Sequence, residues 1–335
     1  PLTQADIVYV GKRGATDCFY VINTEGGFVI VSADTRLNEV LGYSDEGAFD
    51  IERISPDMQW WLDSYCDEIA SALPYLTEAP LSGTVTHRAS RNPITPMLKT
   101  KRNQEAPYNN TCPMDGRYNR RSVTGCVATA MAQIMKFHEW PKQPKGSNGG
   151  IVFTGTTYDW GNMLDVYEQG KYNVTEATAV ATLMRQCGAA VDMQYSYAGS
   201  GAYDNRAQYA LFTYFDYSQD IKMVYRDYTM QKEWNNIVYS ELAAGRPLYY
   251  SGSSVNGGHA FVCDGYSANE YFHFNWGWGG YQDGYFLLSA LNPETGGAGS
   301  YEGGYNSHQI IFTGIRPADG EAKKQTCILS TGTFY

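Results

Sequence analysis

After residue 96, the hydrophobic patterns of the sequence predict helices first and strands afterwards. Helical periodicity covers residues 125–140, 175–191 and 228–247. Five β-rich runs follow between residues 247 and 315, and glycine-rich turns separate them. Strands joined by short turns pair antiparallel, so this order predicts an α+β domain with a helical half and an antiparallel sheet half.

The first 80 residues predict a smaller α+β unit. Two β-rich runs within residues 18–34 flank a Glu-Gly-Gly turn, which is a hairpin signal. Ser55 and Pro56 mark the start of an amphipathic helix of about 18 residues, and Pro74 ends it.

A polar stretch between the two units predicts an exposed connector. Residues 77–96 contain three prolines and show no hydrophobic periodicity. We divide the chain into a small α+β domain (1–80), an exposed connector (81–93), a main domain (94–316) and a C-terminal tail of unknown role (317–335). Exposed connectors are also the segments that proteases cut.

Charge and composition argue against several classes of partner. The net charge is −10, and no basic cluster is large enough to bind nucleic-acid phosphates. No apolar run reaches the roughly 18 residues that span a membrane, so no membrane insertion is expected. The seven cysteines form no CxxC pair and HExxH is absent, so neither a metal site nor a cofactor is predicted.

Cys126 is the candidate nucleophile. With Thr124 or Ser122 as the helix cap, Cys126 lies in the first turn of the helix predicted over 125–140. The helix dipole favours a thiolate there and lowers the thiol pKa. Cys126 also lies at the edge of the apolar helix face, where a cleft can reach it. On this stretch alone, an inert core cysteine is the simpler interpretation.

His259 is the candidate general base among five histidines. Two glycines precede it and a strand pattern follows, so its backbone can pass close to a ligand. Of the other histidines, His87 lies in the connector, and His138 lies on the same helix as Cys126 but about 18 Å away along its axis. His273 and His308 lie inside strand patterns.

A hairpin between the strand after His259 and the next strand brings an orienting group close. The shortest turn puts His259 opposite Trp278, and a slip of a few residues puts it opposite Asn275; the sequence leaves this register open. Asn275 can accept a hydrogen bond from one ring nitrogen, and an indole packed over that contact excludes water. A glycine-rich corner with structural aromatic residues explains "NWGWGG" equally well.

The order Cys, His, Asn on such a domain is similar to that of the papain-like cysteine peptidases. The segments "TGCVATAMAQIMKFHEWP", "GGHAFVCDGY", "HFNWGWGGYQDGYFLLSALNP" and "NQEAPYN" resemble those of the C10 peptidases, the streptopain family. The segment "EGGFVIVSADTRLNEVLGYSDEGAFD" resembles the inhibitory propeptide of that family. The likeness covers most of residues 18–316.

The resemblance implies roles for individual residues. Cys126 matches the nucleophile of the family and His259 its general base. Asn275 and Trp276 match the pair that supports the imidazole. The implied substrate-binding residues are Ser200, Gly201, Gly258 and Trp278, and Gly201 stands where the family has a serine. The oxyanion hole is expected to use the backbone N–H of Cys126, with Gln104 as the candidate second donor.

The resemblance also implies a papain-like fold and a secreted bacterial cysteine endopeptidase in its zymogen form. Protein or peptide substrates are expected, with a hydrophobic side chain in the S2 pocket. The chain's own N-terminal domain is the expected intramolecular inhibitor, and (auto)proteolytic cleavage between Thr84 and Pro93 would start the mature enzyme near Arg91. We expect a secreted or cell-surface protein whose signal peptide is not part of this sequence.

Two alternatives stay open. A cysteine acyltransferase of the transglutaminase kind uses a similar Cys-His site and differs in its acceptor, so an amine-incorporation assay separates it from a peptidase. A catalytically silent secreted binding protein would show no labelling of Cys126 after removal of the N-terminal domain.

Overall fold

A computed structural model describes residues 7–76, 91–254, 257–291 and 308–318. The helices in these ranges are α1 (Pro56–Ala72), α2 (Cys126–His138), α3 (Val174–Ala190), α4 (Asp204–Thr213) and α5 (Gln231–Ala243). None of these helices is long and apolar enough to cross a lipid bilayer.

The strands follow the chain in three groups. The first group is β1 (Ile7–Arg13), β2 (Thr16–Asn23), β3 (Phe28–Ser32) and β4 (Val40–Ser44). Two short hairpins follow, formed by β5 (Met114–Asp115), β6 (Arg120–Arg121), β7 (Ser147–Asn148) and β8 (Ile151–Val152). The last group is β9 (Lys222–Tyr225), β10 (Leu248–Ser254), β11 (Gly257–Ser267), β12 (Tyr271–Asn275), β13 (Gly284–Leu287) and β14 (Gln309–Thr313).

One antiparallel sheet of ten strands runs through both units, in the order β1-β2-β3-β4-β13-β12-β11-β10-β14-β9. The units join where β4 pairs with β13, with Tyr43 opposite Tyr285 and their ring centroids 5.3 Å apart. The sequence predicts the two units but not their shared sheet. Hydrophobic periodicity shows which face of a strand is buried, but it does not show which strand edge is free to pair with another unit.

The two faces of the sheet carry different helices. On one, which we call the α2 face, α2, α3 and α4 pack against Tyr249 and Ala260. On the other, the α1 face, α1 and α5 pack against Tyr250 and Phe261. Successive side chains of a strand point to opposite faces, so neighbouring residues of β10 and β11 alternate between these two cores.

The predicted α+β class and most predicted elements are confirmed. The Ser55 hydroxyl caps α1 by accepting a hydrogen bond from the Met58 N–H at 3.1 Å, and Pro56 is the first helical residue. β2 and β3 form the predicted hairpin. The five predicted strands of the main domain are β10 to β14.

The predicted cap of α2 is wrong. Gly125, with no side chain, occupies the N-cap of α2, and the Thr124 hydroxyl contacts Thr129 instead. Asn173 caps α3, because its side chain accepts from the Glu176 N–H at 3.1 Å and completes a capping box.

The sequence patterns do not predict helix α4. It begins at Asp204, shortly after Ser200 and Gly201, and the N-cap Tyr203 makes no side-chain capping bond. With neither a capping residue nor a long apolar stripe, a helix of ten residues gives only a weak sequence signal.

Candidate active site

Cys126 is the first residue of α2, and its position depends on the glycine before it. Gly125 has φ +87°, and a Cβ added there would lie 2.7 Å from Met193 Sδ and 2.9 Å from the Ser200 carbonyl oxygen. Only glycine fits this approach, which holds the start of α2 against the loop around Ser200. Cys126 is half-buried and is a free thiol.

The electrostatics of Cys126 differ from the sequence expectation. Burial raises the pKa of the thiol to about 12, and the Asp57 carboxylate adds to the rise. The backbone N–H groups of Ala260 and Val127 lower the pKa but do not offset these effects. The low thiol pKa expected at a helix start is therefore wrong for this form of the chain, in which the thiol is protonated at neutral pH.

His259 lies on the α1 face of the sheet, opposite Gly252 in the β10–β11 ladder. The Trp60 ring of α1 covers this pair, with its centroid 6.4 Å from that of the imidazole. A Cβ on Gly252 would lie 2.1 Å from the Trp60 ring, so the indole fills the space above the glycine. Cys126 packs on the α2 face, and no hydrogen bond joins the two side chains among the described residues.

Asp57, in the first turn of α1, acts on both candidate catalytic groups. Its side chain is 1 % exposed, and Oδ2 accepts a hydrogen bond from Trp278 Nε1 at 2.5 Å. Oδ1 lies 3.9 Å from His259 Nδ1 and has no hydrogen-bond partner among the described residues. Burial raises the pKa of Asp57 to about 7. In the sequence, Asp57 is indistinguishable from an acid that merely favours a helix N-terminus.

Asn275 lies on the same side of the sheet as Cys126. Its Oδ1 accepts from Gln133 Nε2 at 2.9 Å and from the Gly277 N–H, and its Nδ2 donates to the Thr100 carbonyl. The predicted contact with His259 is therefore not made in this form of the chain. The Asn275 amide is hydrogen-bonded to Gln133 of α2, whereas the His259 imidazole packs beside α1.

The hairpin register explains why the imidazole and the amide are apart. β11 pairs with β12 as far as Val262 and Asn275, and a turn at residues 268–270 joins the strands as predicted. Extending this register would place His259 opposite Trp278, but the ladder ends first. Trp278 then reaches Asp57 instead of the imidazole.

Trp276 is fully buried on the α1 face. Its ring packs against Phe261, with centroids 4.8 Å apart, and approaches Trp61 of α1 at 6.3 Å. Its Nε1 donates to the Gln282 carbonyl at 2.9 Å. The indole supports the sheet beneath His259 and also contacts the N-terminal unit.

The predicted pocket residues border the start of α2. The Ser200 hydroxyl donates to the Val123 carbonyl at 2.7 Å, so it is engaged within the protein. Gly201 is exposed, and an added Cβ would meet nothing within 4 Å. Gly258, also exposed, lies opposite Ser253 in the β10–β11 ladder. The Gln104 carbonyl accepts from the Thr124 N–H at 3.0 Å, which places Gln104 beside the residues that precede Cys126.

The other described histidines have partners of their own. His273 Nδ1 lies 2.6 Å from Asp264 Oδ1, and His308 Nδ1 lies 3.4 Å from Asp227 Oδ2. His138 contacts the Tyr217 hydroxyl, and burial lowers the pKa of the imidazole to about 4. His87 lies outside the described residues.

Helices packed on an antiparallel sheet, with a cysteine opening the central helix and a histidine on the adjoining strand, define a papain-like cysteine peptidase behind an inhibitory domain. The chain belongs to the peptidase C10 family, whose model matches residues 102–286. The Spi protease inhibitor model matches residues 9–69.

Relatives and solved structures agree with this assignment. The thiol protease/hemagglutinin PrtT of Porphyromonas gingivalis is 35% identical over 95% of this chain, which spans 39% of PrtT. Streptopain of Streptococcus pyogenes is 34% identical, with 94% of this chain and 84% of streptopain covered. A cysteine-to-alanine prointerpain A fragment of Prevotella intermedia matches with TM-score 0.74 and 34% identity over 92% of this chain and 98% of that fragment. Active interpain A matches with TM-score 0.58 and 35% identity over 71% of this chain and 99% of its own.

Proposed function

We propose that this chain is the latent form of an endopeptidase in which Cys126 and His259 cleave peptide bonds through an acyl-enzyme. The observation that carries the proposal is the position of His259. The backbone N–H of its neighbour Ala260 is near enough to Cys126 to lower the thiol pKa, yet the imidazole points to the opposite face. Turning that one side chain to the α2 face would bring a ring nitrogen toward the sulfur.

In the active form, the Cys126 thiolate is paired with the His259 imidazolium. The sulfur attacks the scissile carbonyl carbon, a C–S bond forms, and the carbonyl electrons move to the oxygen. As the C–N bond breaks, the imidazolium protonates the leaving amine. Water then attacks the thioester while His259 takes its proton, and release of the acid restores the thiol.

The surrounding groups have supporting roles in this mechanism. Asn275 orients the imidazole once it has turned, and Trp276 supports the sheet from the α1 face. The Cys126 N–H and the Gln104 side chain stabilise the oxyanion. The Gly258 backbone and Trp278 bind substrate, beside the loop that contains Ser200 and Gly201.

The N-terminal domain keeps the enzyme latent by holding the imidazole away from Cys126. Asp57 and Trp60 hold His259 on the α1 face, and the Asp57 charge also disfavours the Cys126 thiolate. Removal of α1 therefore releases the histidine and lowers the thiol pKa in one step.

We place the activating cleavage in the connector 81–93, with Thr84–Pro93 as the bounds and the chain's own activity as one agent. Arg91 belongs to the main domain by its contacts, because its guanidinium lies 3.4 Å from Glu270 and over the Tyr239 ring. Residues 81–90 lie outside the described residues. The family relationship supports secretion or cell-surface location and protein substrates.

Thiol labelling tests the assignment of the nucleophile. Wild-type chain, processed until the N-terminal domain is removed, is incubated with a thiol-directed epoxide, and mass spectrometry locates the adduct. We expect one adduct, on Cys126, and loss of both labelling and casein hydrolysis in Cys126→Ala. Proteolysis retained by Cys126→Ala would exclude the assignment.

A further inference from the structure

Two buried cysteines meet inside the N-terminal domain. Cys18 lies on β2 and is fully buried, and Cys66 lies on α1 with 2 % of its surface exposed. The Cys18 thiol donates to the Cys66 carbonyl oxygen at 3.7 Å, and the two side chains are hydrogen-bonded to each other. Both are free thiols in this structure, and β2 and α1 pack together at this point.

This pairing sets the two residues apart from the other described cysteines. A single buried cysteine usually serves as a small apolar side chain. Cys187, for example, contacts the Met135 sulfur at 3.6 Å, and Cys112 lies beside the Tyr195 side chain. Among the described cysteines, only Cys18 and Cys66 are hydrogen-bonded to another cysteine.

The electrostatics of the pair favour thiol–disulfide exchange. The hydrogen bond from Cys66 lowers the pKa of Cys18, although burial opposes this effect, and the backbone N–H and the charge of Arg13 lower it further. The same hydrogen bond and burial raise the pKa of Cys66. Cys18 is therefore the first of the two to become a thiolate, which is the form that attacks a disulfide.

We propose that Cys18 and Cys66 form a disulfide bond when the zymogen folds in the presence of a small-molecule disulfide, and that this bond holds α1 in its inhibitory position. The two residues are 48 positions apart, and the loop between them contains β3, β4 and the N-terminal part of α1. Asp57 and Trp60, which hold His259 on the α1 face, lie within that loop. The control of latency rests on the proposed peptidase function, whereas the bond itself does not.

The bond forms in two exchange steps. The Cys18 thiolate attacks one sulfur of the small disulfide, so that a mixed disulfide forms and one small thiolate leaves. Cys66 loses its proton to solvent and attacks the Cys18 sulfur, which expels the second small thiolate. Two protein thiols are oxidised, and one small disulfide is reduced to two thiols. Because both sulfurs are buried in the folded domain, exchange takes place before folding is complete.

Peptide mapping of the Cys126→Ala zymogen tests the bond without self-cleavage. The protein is folded with excess glutathione disulfide, free thiols are alkylated in denaturant, and the digest is analysed without reduction. We expect one cross-linked pair of peptides, which joins Cys18 to Cys66, and no such pair after folding in dithiothreitol. Cys112→Ala, which removes a buried cysteine of the main domain, is the matched control and should keep the link. A digest with Cys18 and Cys66 unlinked, or linked to other cysteines, overturns the proposal.

The survival of the N-terminal domain measures whether the bond supports latency. Oxidised and reduced Cys126→Ala zymogens are desalted and incubated with a trace of active enzyme, and loss of the N-terminal domain is followed on reducing gels. We expect digestion of the oxidised protein to be about 30-fold slower, the lower end of the usual stabilisation by a disulfide. The physical reason is that digestion follows the population of the opened domain, which the cross-link lowers.

A variant without the pair controls for direct effects of oxidation. Cys18→Ala/Cys66→Ala should be digested at the same rate after either treatment. If this variant fails to fold, the comparison of oxidised with reduced parent still decides, because it needs neither substitution.

The outcomes distinguish this inference from the proposed function. Equal digestion of the oxidised and reduced parent overturns the role of the bond in latency and leaves the assignment of Cys126 standing. If wild type yields no active enzyme and Cys126 takes no label, the proposed function fails, and the peptide map alone decides whether the bond forms.

Discussion

At the scale of single residues, Asp57 links latency to both candidate catalytic groups. Its carboxylate approaches His259 Nδ1 at 3.9 Å, accepts from Trp278 and disfavours the Cys126 thiolate. An ionised carboxylate in this buried position costs free energy, since Oδ1 has no hydrogen-bond partner among the described residues. Ionisation of Asp57 therefore destabilises the zymogen where α1 packs against the site.

Asp57→Asn should change how the stability of the zymogen depends on pH. Because burial raises the pKa of Asp57 from 3.8 to about 7, the folded chain keeps a proton that the unfolded chain has released. Stability is thus lost as pH rises from about 4 to 7, by at most ~4 kcal/mol. The asparagine variant lacks this loss, so its stability relative to wild type should increase from pH 4.5 to pH 8.

Denaturant unfolding of Cys126→Ala zymogens, with and without Asp57→Asn, measures this difference without self-cleavage. Burial lowers the pKa of His259 in both proteins, so that contribution largely cancels. Asp67→Asn is the matched control, because Asp67 lies on the same helix in an exposed pair with Arg13. Parallel pH profiles for Asp57→Asn and its parent would rule out the assigned role of Asp57.

At the scale of elements, the proposed latency depends on the contact between α1 and β10, which keeps the histidine on the α1 face. Trp60 of α1 packs over Gly252, directly opposite His259 in the ladder. The ring centroids of Trp60 and Trp61 are 5.9 Å apart, and Trp61 packs in the aromatic core on the α1 face of the sheet. The rigid indole has little freedom to move aside, so the contact is sensitive to added volume.

Gly252→Ala should weaken the docking of the N-terminal domain. The added methyl would lie 2.1 Å from the Trp60 ring, and Gly252 has no positive φ, so the clash with Trp60 is the main effect. Overpacking of this kind costs ~1–3 kcal/mol, which corresponds to a roughly 5- to 150-fold larger population of undocked chains.

The rate of processing by a trace of active enzyme measures that effect. Gly116→Ala is the control, because a Cβ there would meet nothing within 4 Å. Equal processing rates for Gly252→Ala, Gly116→Ala and wild type would contradict the role of the Trp60 contact.

The sequence alone predicts most helices and strands but not the contacts between distant ones. Periodicity predicted α1, α2, α3, α5 and the five strands of the main domain, and Ser55 was correctly predicted to cap α1, because each pattern is local. The face on which His259 lies follows from ladder register and from Trp60, which is distant in sequence. The roles of Asp57 and Gln133 could not be predicted for the same reason. Asp57 contacts His259 and Gln133 binds Asn275, and both partners are distant in the sequence.

At the scale of the whole molecule, the inhibitory domain extends the peptidase's own sheet. Four of the ten strands come from residues 7–44, and β4 is the strand that pairs with β13. The activation proposed above therefore separates the β4–β13 ladder as well as withdrawing α1.

Self-processing tests most directly whether Cys126 is the nucleophile of a zymogen that cleaves its own connector. Wild-type chain and Cys126→Ala are incubated side by side, and products are followed over time by gel and N-terminal sequencing. We predict that wild type yields a stable fragment beginning between residues 84 and 93, while Cys126→Ala stays intact until active wild-type enzyme is added and then gives the same fragment. Self-processing of purified Cys126→Ala at the wild-type rate, or a wild-type product that begins well inside either domain, would contradict the account.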